Sequence, residues 1–90
     1  MIFEWDDNKN VLNQKKHGIS FEDAILIFRG EFTITYDDAH SSNQEDRFWA
    51  IGRNHLGIIV VIFSEVVDDV IRIISARRAT RSEIENYEKT

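Results

Sequence analysis

The chain has no cysteine and no proline among its 90 residues, and only four glycines. Without cysteine there is neither a disulfide framework nor a thiolate metal site, and a reducing compartment, the cytoplasm, is the expected location. With no proline, no repeat and no low-complexity run, nothing marks a linker. The longest unbroken apolar run, Ile58 to Phe63, is far shorter than the roughly 20 residues that span a bilayer, so no membrane segment is expected. Export is not expected either, since Met1 leads directly into Phe3-Glu4-Trp5-Asp6 rather than into a basic and apolar leader. Positive charge is also scarce. Eleven Lys and Arg face 16 Asp and Glu, a formal net charge of −5. That disfavours nucleic-acid binding by bulk electrostatics. It leaves a small basic site on an acidic body, or a protein partner, and the two are compatible.

What is present suits one folded domain over residues 1–90, with 42% hydrophobic and 11% aromatic residues. Ile2 to Trp5 is a candidate short edge strand. Asp6 offers an N-cap to a helix of roughly ten residues ending near Lys16, where Gly18 supplies the left-handed stop. Ser20 opens a second helix whose apolar positions Phe21, Ala24, Ile25 and Phe28 follow i, i+3, i+4, i+7; Gly30 ends it. The period then changes to two. Strands are expected at Phe32 to Tyr36, Arg47 to Arg53, Gly57 to Phe63 and Val70 to Ala76, with Asp37 to Asp46 a polar loop. The third of these is apolar throughout, as a strand covered on both faces would be. Thr80-Arg81-Ser82-Glu83 reads as a capping box opening a last helix with Ile84 and Tyr87 on one face. The expected fold class is α+β: two N-terminal helices, a curved antiparallel four-stranded sheet and a C-terminal helix.

The positive charge that exists is concentrated. Arg72, Arg77, Arg78 and Arg81 fall within ten positions, where an apolar strand turns into the last helix. Guanidinium forks pair bidentately with phosphate oxygens, so four together at one corner suit a polyanion; singly, each arginine reads better as a solvated strand end paired with nearby carboxylates. Arg47 and Arg53 share parity with Trp49 and Ile51. Arg72 shares parity with Ile74, whereas Arg77 falls on the opposite parity or in the following turn. If the strands bearing Arg47 and Arg72 flank the central one, their arginines line a trough about 10 Å across. Tyr87 either packs its ring on the sheet or stacks on a base. His17, His40 and His55 are the candidate general bases, none with a partner at a revealing spacing; His17 reads better as a cation at a helix C-terminus. Glu83 reads as structural, and Trp5 and Trp49 as core or partner surface. The carboxylate pairs (Asp6-Asp7, Asp37-Asp38, Glu45-Asp46, Asp68-Asp69) sit at helix starts and turns, so no metal site or cofactor is expected.

Taken together, Phe3-Glu4-Trp5-Asp6, Lys9, Asn13, Lys16-His17-Gly18-Ile19-Ser20-Phe21-Glu22-Asp23-Ala24, Glu45-Asp46-Arg47, Arg72-Ile73-Ile74-Ser75-Ala76-Arg77-Arg78-Ala79-Thr80, Glu83 and Tyr87 resemble, in the same order and nearly end to end, the BrnT toxins. The resemblance implies a RelE-like ribonuclease fold and a type II toxin that cuts RNA and blocks translation. It implies neutralisation by BrnA, a ribbon-helix-helix DNA-binding antitoxin, in a complex of two toxins and two antitoxins; the DNA contacts would be the antitoxin's. The implied chemistry is metal-independent attack of a ribose 2′-hydroxyl on the adjacent phosphate, using basic and aromatic side chains. By position in the motifs, Arg47, Arg72, Arg77 and Tyr87 become the catalytic candidates, with Lys16, His17, Arg53, Arg78 and Arg81 as candidate RNA contacts. A non-catalytic module that only binds an antitoxin is the alternative, motivated by the missing general base. A DNA-binding regulator fits poorly, because the last helix carries Glu83, Glu85 and Glu88.

Overall fold

The computed structural model describes residues 1–89. Strand β1 (Ile2–Glu4) is followed by helix α1 (Asp7–His17), the short helix α2 (Phe21–Ala24) and a 3₁₀ turn over Ile25–Arg29. Strands β2 (Phe32–Tyr36), β3 (Arg47–Asn54), β4 (Gly57–Val67) and β5 (Val70–Arg78) then lead to helix α3 (Arg81–Glu88). The fold is α+β. Among the described residues, no helix is long and apolar enough to cross a membrane.

Cap chemistry fixes the helices as the sequence predicts. The Asp6 carboxylate accepts from the Lys9 N–H, and Gly18 closes α1 at φ 71°. Thr80 and Glu83 form the full capping box of α3. The second helix departs from expectation. Only four residues are α-helical, and the tighter 3₁₀ winding moves full burial to Phe21, Ala24 and Ile27, three residues apart, while Ile25 and Phe28 are half-buried. Gly52 permits this, because a Cβ there would stand 2.9 Å from the Ile27 Cβ.

The sheet also differs. It has five strands in the order β1-β5-β4-β3-β2, and β1 pairs with β5 in parallel, so it is mixed rather than antiparallel throughout. Its inner face carries Ala50, Ile59, Val61, Phe63, Ile71, Ile73 and Ala76, packed under Ile19, Phe21, Ala24 and Ile27. The outer face carries a smaller apolar floor, Ile51 and Val60, both buried. β4 and β5 run longer than expected, to Val67 and Arg78.

Helix α1 buries asparagines where an apolar stripe would be usual. Asn10 accepts from the Phe21 N–H at 2.8 Å and donates to Glu22 at 2.7 Å. Asn13 lies against β5 beyond the point where β1 ends. Its Nδ2 donates to the carbonyls of Ala76 (2.9 Å) and Ile19 (2.8 Å), and its Oδ1 accepts from the Ala76 N–H (3.1 Å) and the Ser75 hydroxyl (3.3 Å). One side-chain amide thus does for Ala76 what a neighbouring strand would do. Replacing Asn13 with Ala leaves the Ala76 N–H and the Ala76 and Ile19 carbonyls without their Asn13 partner and is expected to lower unfolding free energy by about 3 kcal/mol or more, at roughly 1–3 per orphaned group. Urea titration checks this; a loss under about 0.5 kcal/mol would show that water replaces the amide.

Candidate active site

Cross-strand register decides which side chains meet on the outer face. Arg47 on β3 pairs with Ser64 on β4, which pairs with Arg72 on β5, which pairs with Glu4 on β1. The next rows are Trp49–Ile62–Ser75 and Ile51–Val60–Arg77. Residues directly opposite share a face, so Arg47, Arg72 and Arg77 all project outward. Parity alone separates Arg72 from Arg77. A β-bulge corrects it: pairing steps from Ile62–Ser75 to Phe63–Ile73, leaving Ile74 as the extra residue and reversing parity between the two arginines.

The arginines do not form one constellation. Arg47 and Arg77 line a cleft of about 460 Å³ together with Asp37, His40, Trp49, Ser75 and Glu83. Arg72 lies beyond this cleft, its guanidinium on Glu4 at 2.9 and 3.1 Å. Tyr87 lines the neighbouring pocket, and its hydroxyl donates to the Glu31 carbonyl at 2.9 Å. Arg53 borders a further groove beside Tyr87 and pairs with Glu88 at 3.4 Å. Arg78 donates to the Leu56 carbonyl, and Arg81 opens α3 exposed. Lys16 and His17 close α1 and are not part of the arginine cleft.

Two features were hidden in the sequence. His40 does have a partner: its Nδ1 lies 2.9 and 3.1 Å from the two carboxylate oxygens of Asp37, three residues earlier. Asp37 accepts the Nδ1 proton and leaves Nε2 as the available ring nitrogen, a tautomer assigned from this contact. The Asp-x-x-His spacing at the start of the polar loop was the signal, since an Asp at a turn start reaches back to nearby donors. The Asp37 main chain is itself anchored, its N–H bonding the Arg47 carbonyl at 2.8 Å. Glu83 likewise has two jobs. Besides accepting from the Thr80 N–H, it binds both terminal nitrogens of Arg77, at 2.7 and 3.0 Å.

Electrostatically the cleft is less positive than its arginine count. Arg47 pairs with Glu45 at 3.0 Å and Arg77 with Glu83. The Arg77–Glu83 fork is the tighter pair. Hydrogen bonds from Arg77, against the opposing cost of burial, hold the Glu83 carboxyl at about 2, and the same contact holds the Arg77 guanidinium above its usual range. The Arg47, Arg53 and Arg72 pairs are partly exposed, the kind of contact an incoming phosphate displaces at little cost.

Residues 5–83 match the protein family described as the ribonuclease toxin BrnT of type II toxin–antitoxin systems. In structure the chain is similar to the Brucella abortus ribonuclease toxin BrnT, known from a 1.1 Å crystal structure. The two share 31% sequence identity, the likeness covers 90% of this chain and 100% of that one, and the TM-score is 0.65. Among curated proteins, none matches.

Because Glu83 titrates lower in the folded chain than unfolded, its pairing stabilises fully above the ordinary carboxylate range and is lost as pH falls from about 4.5 toward about 2. Glu83→Gln is therefore expected to be less stable than the parent at neutral pH, with the gap closing through that window. Denaturant unfolding across pH measures it; a gap independent of pH would remove the ionised fork from the account.

Proposed function

The chain belongs to the BrnT family of ribonuclease toxins of type II toxin–antitoxin systems, and from that premise we propose that it cleaves RNA in the cleft of Arg47 and Arg77. The observation that carries the reading is the convergence of two arginines, the Asp37–His40 pair and Trp49 in one cleft. In the proposed reaction, His40 Nε2 takes the proton of the ribose 2′-hydroxyl. The 2′-oxygen bonds to phosphorus, the bond from phosphorus to the 5′-oxygen breaks, and the leaving 5′-oxygen takes a proton from solvent, to which His40 then returns the one it accepted; the products are a cyclic phosphate and a 5′-hydroxyl end. Charge that builds on the phosphoryl oxygens is met by Arg47 and Arg77, so no metal ion takes part in this scheme. This is the RelE-like mode of action, and its physiological outcome is arrest of translation.

A type II toxin has an antitoxin, and we assign this one a BrnA-type DNA-binding partner in a complex of two copies each, at work in the cytoplasm. Exposed Val11 and Leu12 on α1, and Ile34 and Tyr36 on the edge strand β2, provide apolar surface for such a partner. One observation favours the competing reading of a non-catalytic antitoxin-binding module: both cleft arginines are already paired with glutamate.

Induction of the chain alone is expected to stop growth and fragment RNA, and cleavage in vitro is expected to persist in EDTA. Loss of one catalytic acid–base group typically costs 10²–10⁴-fold, so His40→Ala should lower kcat by about that factor. Arg77→Ala should lower it by about 10²–10³-fold, the scale of one oxyanion-stabilising donor. Arg47→Ala, which loses a looser contact, should act mainly on KM. All three variants should still bind the antitoxin. A folded parent chain that leaves growth and RNA intact would sink the enzyme in favour of the binding module, and inhibition by EDTA would sink the metal-free scheme.

A further inference from the structure

The arginine cleft continues into a second pocket across a shared wall of Trp49 and Glu83. This pocket, of about 330 Å³, lies between β2, β3 and α3, near the small end of the roughly 300–1,000 Å³ typical of small-ligand sites. Its floor is apolar, Trp49 and Ile51, and its rim is polar, Thr33, Thr35 and Asn86. Register explains the arrangement: Thr33 pairs with Ile51 and Thr35 with Trp49, so both hydroxyls share the outer face with the floor. Among the described residues, the two threonine hydroxyls and the Asn86 amide have no side-chain hydrogen-bond partner. Trp49 is half-buried, and among the described residues its ring stacks on no other, Phe48 and Phe63 of the next row being stacked on each other on the opposite, inner face. A flat aromatic surface with unpaired donors and acceptors at its margin, one step from a phosphate-suited cleft, fits the ring of a nucleobase.

We infer that this pocket binds the base of a nucleotide next to the phosphate held by Arg47 and Arg77, with Trp49 as its stacking surface and Asn86 reading its edge. The inference rests on the ribonuclease reading and adds to it a determinant of where the RNA is cut. A single carboxamide offers one donor and one acceptor side by side, a pair that the edge of any unpaired nucleobase can complement, so Asn86 anchors the base; the two-ring face of adenine covers more of the Trp49 indole than a pyrimidine does, so adenine is the favoured base.

The chain has two tryptophans, hence two indole N–H signals in a nitrogen-15 spectrum of the unmodified protein, with Trp5 on the inner side as internal control and Trp49→Phe giving the assignment. Titration with adenosine 5′-monophosphate should shift the Trp49 signal saturably, cytidine 5′-monophosphate should bind at least several-fold more weakly, and ribose 5-phosphate should leave the signal in place. Asn86→Ala should weaken the response to both nucleotides several-fold, and Trp49→Leu should redistribute the cut sites on a mixed-sequence RNA. Equal response to ribose 5-phosphate, no response to either nucleotide, or nucleotide binding undiminished in Asn86→Ala overturns the inference. An unchanged cut pattern from an active Trp49→Leu protein also overturns it, while leaving the ribonuclease standing. If the parent cuts no RNA, the ribonuclease reading fails by itself, and the indole titration still decides the pocket.

Discussion

One extra residue, the bulge at Ile74, determines the outer face on which the rest of the site is built. A strand without it would send Arg72 and Arg77 to opposite sides of the sheet, one arginine into the core layer and the other outward. With it, Ile73 and Ala76 both reach the core while Arg72 and Arg77 both leave it. Such a displacement interrupts the ladder and must be held, and Asn13 holds it. Its amide grips Ala76 on both backbone groups and takes the Ser75 hydroxyl, immediately past the irregularity. Helix α1 therefore works through buried amides, Asn13 bracing β5 and Asn10 tying down the start of α2, which accounts for a helix with Asn10 and Asn13 inside and Val11 and Leu12 outside.

The local rules of the chain were legible because they are short-ranged. Caps at Asp6, Ser20 and Thr80, the stop at Gly18 and the first residues of the four meander strands all appear where side-chain spacing places them. What escaped was non-local. Nothing in Ile2–Glu4 announces a parallel partner 68 residues away in sequence, because a three-residue strand has no period to read. The 3₁₀ turn is set by the close approach of Ile27 to Gly52, a contact between segments that the pattern in 21–30 does not contain. Likewise the bulge has no composition of its own: Arg-Ile-Ile-Ser-Ala-Arg reads as regular strand until its partner β4 is known.

The site was legible in part for the same reason. Residue type put forward Arg47 and Arg77 among other candidates, and folding joins these two in one cleft while setting Arg72 and Tyr87 outside it. Counting charges along the chain gave a basic corner, but folding supplies each of Arg47, Arg53, Arg72 and Arg77 with a glutamate. Linear charge density therefore overstated the field. The contact that counting missed, Asp37 against His40, lay in a loop with no hydrophobic pattern to suggest order.

Prior pairing of the arginines gives the acidic charge of the molecule a physical sense under the ribonuclease reading. A phosphodiester in the ground state carries one negative charge and offers Arg77 little that Glu83 does not already supply. During attack by the 2′-oxygen the phosphoryl group gathers further charge, and only then does it compete well with a carboxylate for the guanidinium. A pair held in this way contributes more to the transition state than to the bound substrate, which raises kcat rather than affinity. Glu45, holding Arg47 through a single, more exposed contact, yields earlier, as a group that captures the incoming backbone should. The body of the protein can then remain net negative, since selectivity for RNA resides in a few positioned groups rather than in a broad attractive field.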